Sequence, residues 1–313
     1  METARITVCL PAYEAESYIG AAIESVLAQT CSDWRLLIAD NGSTDGTADA
    51  ARQYQDPRIT TIEHPENLGM VANWRFLLQR VTTPYFCLLA ADDYFRPTHL
   101  ETKLALLEHQ PAASMAFGAV DLIDASGAHL DVYREPFNGF EPSRKHFHEF
   151  FWHNFVNIAG AVVRMEPVRR HSIDFDPRFT VLCDWHFFMV LVLLTEGFVF
   201  DPNPTSVYRL HPKSVARQTE KTALWIRERV QLQLAVLDEH PVESAAWVDL
   251  KQTRQRITQD LWHAAARQWF AQNPKDAELF WTLFLRFHST VSLGWRIPCF
   301  LFDRARRLIR GHE

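Results

Sequence analysis

Short apolar runs alternate with stretches in which apolar residues recur every three or four positions, and this alternation persists to about residue 120. Ile6-Thr7-Val8-Cys9-Leu10 predicts a first strand stopped by Pro11. Ile19, Ile23, Val26 and Leu27 then fall at helical spacing and predict a helix over 15–29. Residues 36–39 and 59–62 predict a second and a third strand, with helices over 47–54 and 69–80. The run 85–91 is almost wholly apolar, ends in Asp92-Asp93, and reads as a strand buried on both faces. Pro97 opens a helix with Leu100, Leu104 and Leu107 on one face; 114–121 is strand-like, and a turn follows at 124–127. Strands alternating with helices of this length give βαβ units and a mostly parallel sheet, an α/β fold.

Beyond residue 130 the pattern is less regular. Residues 137–142 read as a loop, 143–155 as a helix crowded with aromatics and histidines, and 161–164 as a strand. A strongly apolar helix is expected over 184–196 and extended chain over 199–208. Helical patterning then dominates: 222–239, 243–272, and 276 to the end. The expected division is a catalytic domain at 1–216 and a helical region at 217–313.

Composition narrows the class. Of 313 residues, 47% are hydrophobic and 22% charged, so a packed core is expected. A net charge of −6 argues against nucleic acid as a partner. Five scattered cysteines without a CxxC pair fit a reducing cytosol and no structural zinc. The chain enters a strand pattern at once, so no signal peptide is expected, and 187–194 is too short to span a bilayer. These features predict a soluble cytoplasmic protein.

Three predicted strand ends carry polar clusters: Pro11-Ala12-Tyr13-Glu14, Asp40–Gly46 and Asp92-Asp93. Neighbouring parallel strands would put them on one rim, where open α/β sheets place ligands. Two adjacent carboxylates repel unless a cation stands between them and a ligand; the plainer reading makes one of them a cap for the helix after Pro97. No GxGxxG follows the first strand and no GxxxxGK[ST] occurs, so dinucleotide and P-loop readings lose their support. What remains is a nucleotide site that reads base and ribose with carboxylates and holds a diphosphate through a metal.

The sequence resembles the family-2 glycosyltransferases, nucleotide-sugar enzymes of the GT-A fold. Val8–Glu14 is similar to the family's opening strand and Pro-x-Tyr-Asn turn, with Glu14 for Asn; Asp40–Thr47 resembles Asp-Asp-Gly-Ser-Thr-Asp-Gly-Thr, with Asn41 for the second Asp. Glu66-Asn67-Leu68-Gly69 matches Glu-Asn-x-Gly, and Ala90-Ala91-Asp92-Asp93 stands at the DXD element with Ala90 for its first Asp. Asp184-Trp185 resembles the Glu-Asp-Trp segment, with Cys183 for Glu, and 208–214 resembles Tyr-Arg-x-His-x-x-Ser. The resemblance covers about 4–216 and implies a donor half (1–120) and an acceptor half (121–216). It implies a nucleotide-sugar donor, UDP-linked by preference, held by Pro11, Ala12, Tyr13, Glu14, Asp40, Asn67, Asn73, Arg75, Ala91 and Asp92. It further implies Mn²⁺ or Mg²⁺ at Asp92 with His211 nearby, Asp184 as catalytic base, and Asn157, Gly160 and Trp185 beside a glycan or lipid-linked glycan acceptor.

Each residue also has a plainer role. A first-turn Asp such as Asp184 often serves the helix dipole, and His211 before Pro212 could be an ordinary loop histidine. His146 and His148 lie two apart and would not share a helix face, so surface or packing roles are expected for them. Between Trp281 and Glu313, six arginines are interleaved with aromatics, a composition suited to the inner-membrane surface or to a helix packed on the rest of the chain. The rivals to a transferase are a sugar nucleotidyltransferase, which lacks its expected basic glycine-rich loop here, and a non-catalytic nucleotide- or saccharide-binding module.

Overall fold

The computed structural model describes residues 4–212, 214, 222–270, 276–278 and 280–282, the side chains of 262 and 265–270 excepted. The chain forms two compact units, Met1–Glu220 and Lys221–Glu313.

In the first unit, β1 (Ile6–Ala12), β2 (Trp34–Asp40), β3 (Ile59–Glu63) and β4 (Tyr85–Leu88) run parallel in the order β3-β2-β1-β4. Three helices make the crossovers: α1 (Ile19–Leu27), α2 (Thr47–Arg52) and α3 (Met70–Leu78). Past β4 the sheet is mixed. β9 (Val162–Arg164) runs antiparallel between β4 and β6 (Ala113–Asp124), and β10 (Gly197–Leu210) pairs parallel to β6. β5 (Tyr94–Phe95), β7 (His129–Tyr133) and β8 (Gly139–Pro142) add short antiparallel pairings. β1, β2, β3, β4, β6 and β10 therefore point one way, and their carboxyl ends share one edge. Val8, Leu10, Leu36, Ile38 and Cys87 pack in one cluster with Ile19, Ile23 and, from α4 (His99–His109), Leu100, Leu104 and Leu107. Each large apolar side chain so buried contributes about 1.5–3 kcal/mol.

Several elements depart from the sequence expectations for identifiable reasons. Pro11 does not stop β1, which runs on to Ala12. Cys9 faces β4, since its carbonyl accepts from Leu89 N, and alternation turns Pro11 to the same side. There β1–β4 pairing has already ended at Cys9, so the missing N–H deprives no partner. β4 stops at Leu88 because the chain turns, Asp93 N donating to Ala90 O. α4 begins at His99 behind Thr98, so neither Asp92 nor Asp93 caps it. Residues 139–142 form β8 where a loop was expected, and Phe140 lies over Gly197, where a Cβ would stand 2.5 Å from its ring.

β10 carries an irregularity. From Asp201 to Ser206 it advances five residues while its partner advances two, Gly118 to Val120, so three extra residues bulge out. Pro202 and Pro204 fall in the bulge, where no ladder donor is required. Just before it, the Asp201 carboxylate accepts from the Lys103 ammonium of α4 at 2.8 Å, with side-chain exposures of 6% and 1%. Gly118 makes room for this pair: a Cβ there would sit 2.9 Å from Lys103 Nζ and 2.4 Å from Asp201 O.

The helices α5 (Ser143–Trp152), α6 (Met165–Arg170) and α7 (Cys183–Leu193) complete the first unit. Phe147, Phe150, Phe151 and Phe155 are buried in its core, and His146 hydrogen-bonds Glu141 at 2.7 Å, the packing role expected of it. Among the described residues, Cys9, Cys31, Cys87 and Cys183 form no disulfide.

The second unit holds α8 (Ala223–Glu239), α9 (Pro241–Trp247) and α10 (Leu250–Phe270). Thr222 caps α8 by accepting from Trp225 N. The single helix expected over 243–272 is two, broken at Val248; Asp249 starts the second by accepting from Gln252 N at 2.9 Å. The basic aromatic tail over 283–313 lies outside the described residues. Among those described, no helix is long and apolar enough to cross a membrane.

Candidate active site

The loop after β2 is built by its own polar side chains. Asp40 is 2% exposed and accepts from Ser43 N at 3.1 Å and Ser43 Oγ at 2.5 Å. Glu14, in the left-handed region at φ 49°, reaches across and accepts from Thr44 N at 2.8 Å. Asn41 donates to Asn67 Oδ1 at 3.0 Å and accepts from Leu68 N at 2.9 Å, which ties the 40–46 loop to the 66–69 loop. A carboxylate at position 41 could not make the first of these bonds, which explains how the Asn is used. Asp45 accepts from Thr47 N at 3.0 Å ahead of α2.

Gly42 seals this knot. Its φ is 70°, and a Cβ there would stand 2.6 Å from the Glu66 carbonyl carbon. Gly42→Ala combines left-handed strain with overpacking against backbone and is expected to cost about 2–4 kcal/mol. Urea unfolding reads this directly; a loss below about 1 kcal/mol would contradict the packing described.

Asp92 and His211 meet although they are 119 residues apart. His211 Nε2 lies 2.8 Å from Asp92 Oδ2, and the side chains are 11% and 27% exposed, so the pair is sheltered but open to a ligand. Arg209 organises this corner: its backbone N–H donates to Asp93 Oδ1 at 2.9 Å and its Nε to Asp92 O at 3.0 Å, while Nη1 reaches the carbonyls of Asp124 and Ala125. Tyr18 presents its ring to both, stacking on His211 at 5.5 Å and lying under the Arg209 guanidinium at 5.1 Å. Burial, with the Asp92 charge adding to it, pushes the Asp93 carboxyl well above the usual carboxylate range. The two adjacent acids thus have different roles, Asp93 as an internal bracket and Asp92 facing out.

Asp184 stands in the first turn of α7. A three-residue loop joins α7 to β10, and Asn154, beside Asp184, leads into the Ile158–Gly160 turn, which lies ahead of antiparallel β9 on the carboxyl side of β4 and β6. His211 follows the carboxyl end of β10, and Asp92 follows β4, at that same edge. Asp184 is half-buried, and the protein around it pushes its carboxyl up to about 6. The N–H groups of Trp185 and of Asp184 itself, and the Asn154 amide, act in the opposite sense. An acid of this strength is mostly ionised at neutral pH yet basic enough to take a proton, which suits a general base.

Other expected contacts are turned inward. Asn73 is buried, its amide donating to Ala39 O at 3.0 Å and facing His64 Nε2 at 3.2 Å, so it braces α3 against β2. Arg75 pairs with Asp174 at 2.9 Å. Ala91 is buried at 6% exposure, which leaves only its backbone to face a donor. On the acceptor side, Trp185 is 2% exposed and its indole donates to Phe150 O, so it belongs to the core and does not line a groove. Asn157 caps a single 3-10 turn at Ile158–Gly160 by accepting from Ala159 N, and Gly160 is buried against Ser206. Among the described residues no group of three or more His, Cys, Asp or Glu side chains is placed to hold a metal. Sequence reasoning missed Tyr18, Asn154 and the organising role of Arg209. For Tyr18, its place one helical turn past the Pro-x-Tyr turn was the available hint.

The family model for glycosyl transferase family 2 matches residues 7–171, just over half of the chain. The chain belongs to glycosyl transferase family 2. Among curated proteins it is 32% identical over 130 residues to a protein of Bacillus subtilis named as a teichuronic acid biosynthesis glycosyltransferase, TuaG, covering 41% of this chain and 51% of that one. It is 28% identical over 107 residues to the UDP-Glc:alpha-D-GlcNAc-diphosphoundecaprenol beta-1,3-glucosyltransferase WfgD of Escherichia coli, covering 34% and 42%. The chain thus spans about half or less of the length of these relatives. Among solved structures, residues 1–349 of S. aureus TarS in complex with UDP-GlcNAc superpose with a TM-score of 0.61 at 13% identity, covering 88% of this chain and 90% of that one. The mannosyltransferase PcManGT of Pyrobaculum calidifontis, in complex with GDP-Man and Mn²⁺, superposes at 0.55 with 16% identity, covering 96% and 84%. These likenesses identify the fold as GT-A, an α/β architecture with helices flanking a mostly parallel sheet.

Proposed function

We propose that the chain transfers a sugar, with inversion at C1, from a UDP-sugar to a hydroxyl of a glycan or lipid-linked glycan acceptor in surface-polysaccharide assembly. The observation that carries this reading is the shared sheet edge: the Asp40 loop, the Asp92–His211 pair and the weakly acidic Asp184 all lie there. The UDP-GlcNAc held by TarS and the lipid diphosphate acceptor in the name of WfgD support the donor and acceptor classes.

In this reading the Pro11–Glu14 turn and the Asp40 loop receive the base, Tyr13 offering a ring that is 50% exposed. Asp92, with His211 beside it, fits a divalent cation that takes most of its oxygen ligands from diphosphate and water, as Mg²⁺ and Mn²⁺ commonly do. When bound, such a cation supplies neutralisation of the charge that develops on the departing diphosphate. Asp184 accepts the acceptor hydroxyl's proton as that oxygen bonds C1; the bond from C1 to the phosphate oxygen breaks, and its electron pair leaves with UDP. One carboxylate and a single displacement invert the anomeric centre, through an oxocarbenium-like state of the kind seen in glycoside hydrolysis.

A thermal-shift panel of UDP, dTDP, GDP, CDP and ADP, each with Mn²⁺ and with EDTA, tests the donor half. UDP with Mn²⁺ is expected to raise the melting temperature, since a ligand at 100 times its Kd stabilises by about 2.7 kcal/mol. EDTA and Asp92→Ala should each remove most of that shift. A panel with no response to any nucleotide in the presence of metal would sink the transferase reading.

A further inference from the structure

Asp184 has a side-chain neighbour that no family motif named above contains. α5 ends at Trp152 and His153 is extended, which carries Asn154 to the N-terminal turn of α7. There Asn154 Oδ1 accepts from Val156 N at 3.1 Å, a local turn that spends the carbonyl end of the amide. The orientation of the side chain follows from that bond: the NH₂ end is left to face Asp184, with Nδ2 3.5 Å from Oδ2. A flipped amide would set its oxygen against a carboxylate and its NH₂ against a backbone N–H, losing both contacts. The separation is long for a hydrogen bond, as contacts at catalytic groups often are before ligands arrive.

We propose that Asn154 is the positioning residue for Asp184, its amide fixed by Val156 so that one N–H selects the carboxylate rotamer and favours the ionised form. This rests on the reading of Asp184 as the base. The donation opposes the burial around Asp184, so its loss raises the proton affinity of the carboxyl. Replacement by an acid acts more strongly. In Asn154→Asp the bond from Val156 N is retained, but the donor becomes a second carboxyl, and two acids in contact release their last proton late.

The test is the titration of Asp184 in the full-length protein, followed by the ¹³C shift of its labelled carboxyl and assigned by the resonance missing from Asp184→Asn. Wild type is expected to titrate near 6. Asn154→Ala should move the midpoint upward by a few tenths of a pH unit and Asn154→Asp by about one unit or more. A midpoint unchanged in both variants overturns the proposal, including the case in which both merely lower the melting temperature. Because this readout needs no substrate, it separates from the base assignment: sugar transfer surviving in Asp184→Asn would reject Asp184 as base while leaving the pairing intact.

Discussion

Asp184→Asn is expected to abolish turnover for practical purposes while making the protein more stable at neutral and alkaline pH. A positioned general base contributes about 10²–10⁴ in rate, and the asparagine keeps the shape without the proton affinity. The stability gain follows from the direction of the shift. The folded-state value of about 6 lies above the ordinary 3.8, so folding disfavours the ionised form. That burden is present in full above pH 6 and is relieved as pH falls through 6 toward 3.8. At about 1.36 kcal/mol per pH unit, asparagine removes up to about 3 kcal/mol, and the advantage should fade in acid. Urea unfolding at pH 8 and pH 4 would show it. A variant that loses stability at pH 8, or keeps wild-type turnover, is incompatible with Asp184 as a base held in a desolvated site.

The largest loss of stability is expected far from the chemistry, at Lys103→Ala. The ammonium is buried with the Asp201 carboxylate, and burial lowers its proton affinity while the carboxylate sustains it. Removing one member of such a pair leaves an uncompensated charge inside the protein and typically costs about 3–5 kcal/mol. Asp201 would keep only the bonds from Asn203 N at 3.0 Å and Nδ2 at 3.2 Å. Adding Asp201→Asn should restore part of the loss, because the stranded charge is then gone. Chemical denaturation of the single and double variants decides it: a single variant within 1 kcal/mol of wild type would mean that water already reaches the pair.

How much of this could be read in advance depended on whether a residue's partners lie near it in the chain. The apolar runs of β1, β2 and β4, and the self-bonded 40–46 loop, are local and were legible. β7 was not, because as an exposed border strand it has polar residues on both faces; β8 was hidden because Gly and Pro lie at its ends. The Asp92–His211 contact was inferred only through family resemblance, since nothing local links positions 119 apart. Tyr18 and Asn154 had no such guide. Trp185 shows the opposite failure: the resemblance set it beside the acceptor along with Asp184, but successive helical residues point about 100° apart, and it turned into the core.

β10 resembles a ruler with a fold in it. The Lys103–Asp201 pair pins one end, Arg209 and His211 are read off the other, and the three-residue bulge lies between them. Substitutions at Pro202, Asn203 or Pro204 alter the material of the fold, whereas an insertion or deletion alters its length. One residue more or fewer would slide everything beyond by about 3.3 Å and turn each side chain to the opposite face, separating His211 from Asp92 and turning the buried Val207 out of the core. Natural and engineered variants of this chain should therefore tolerate change of residue in 202–204 far more readily than change of number.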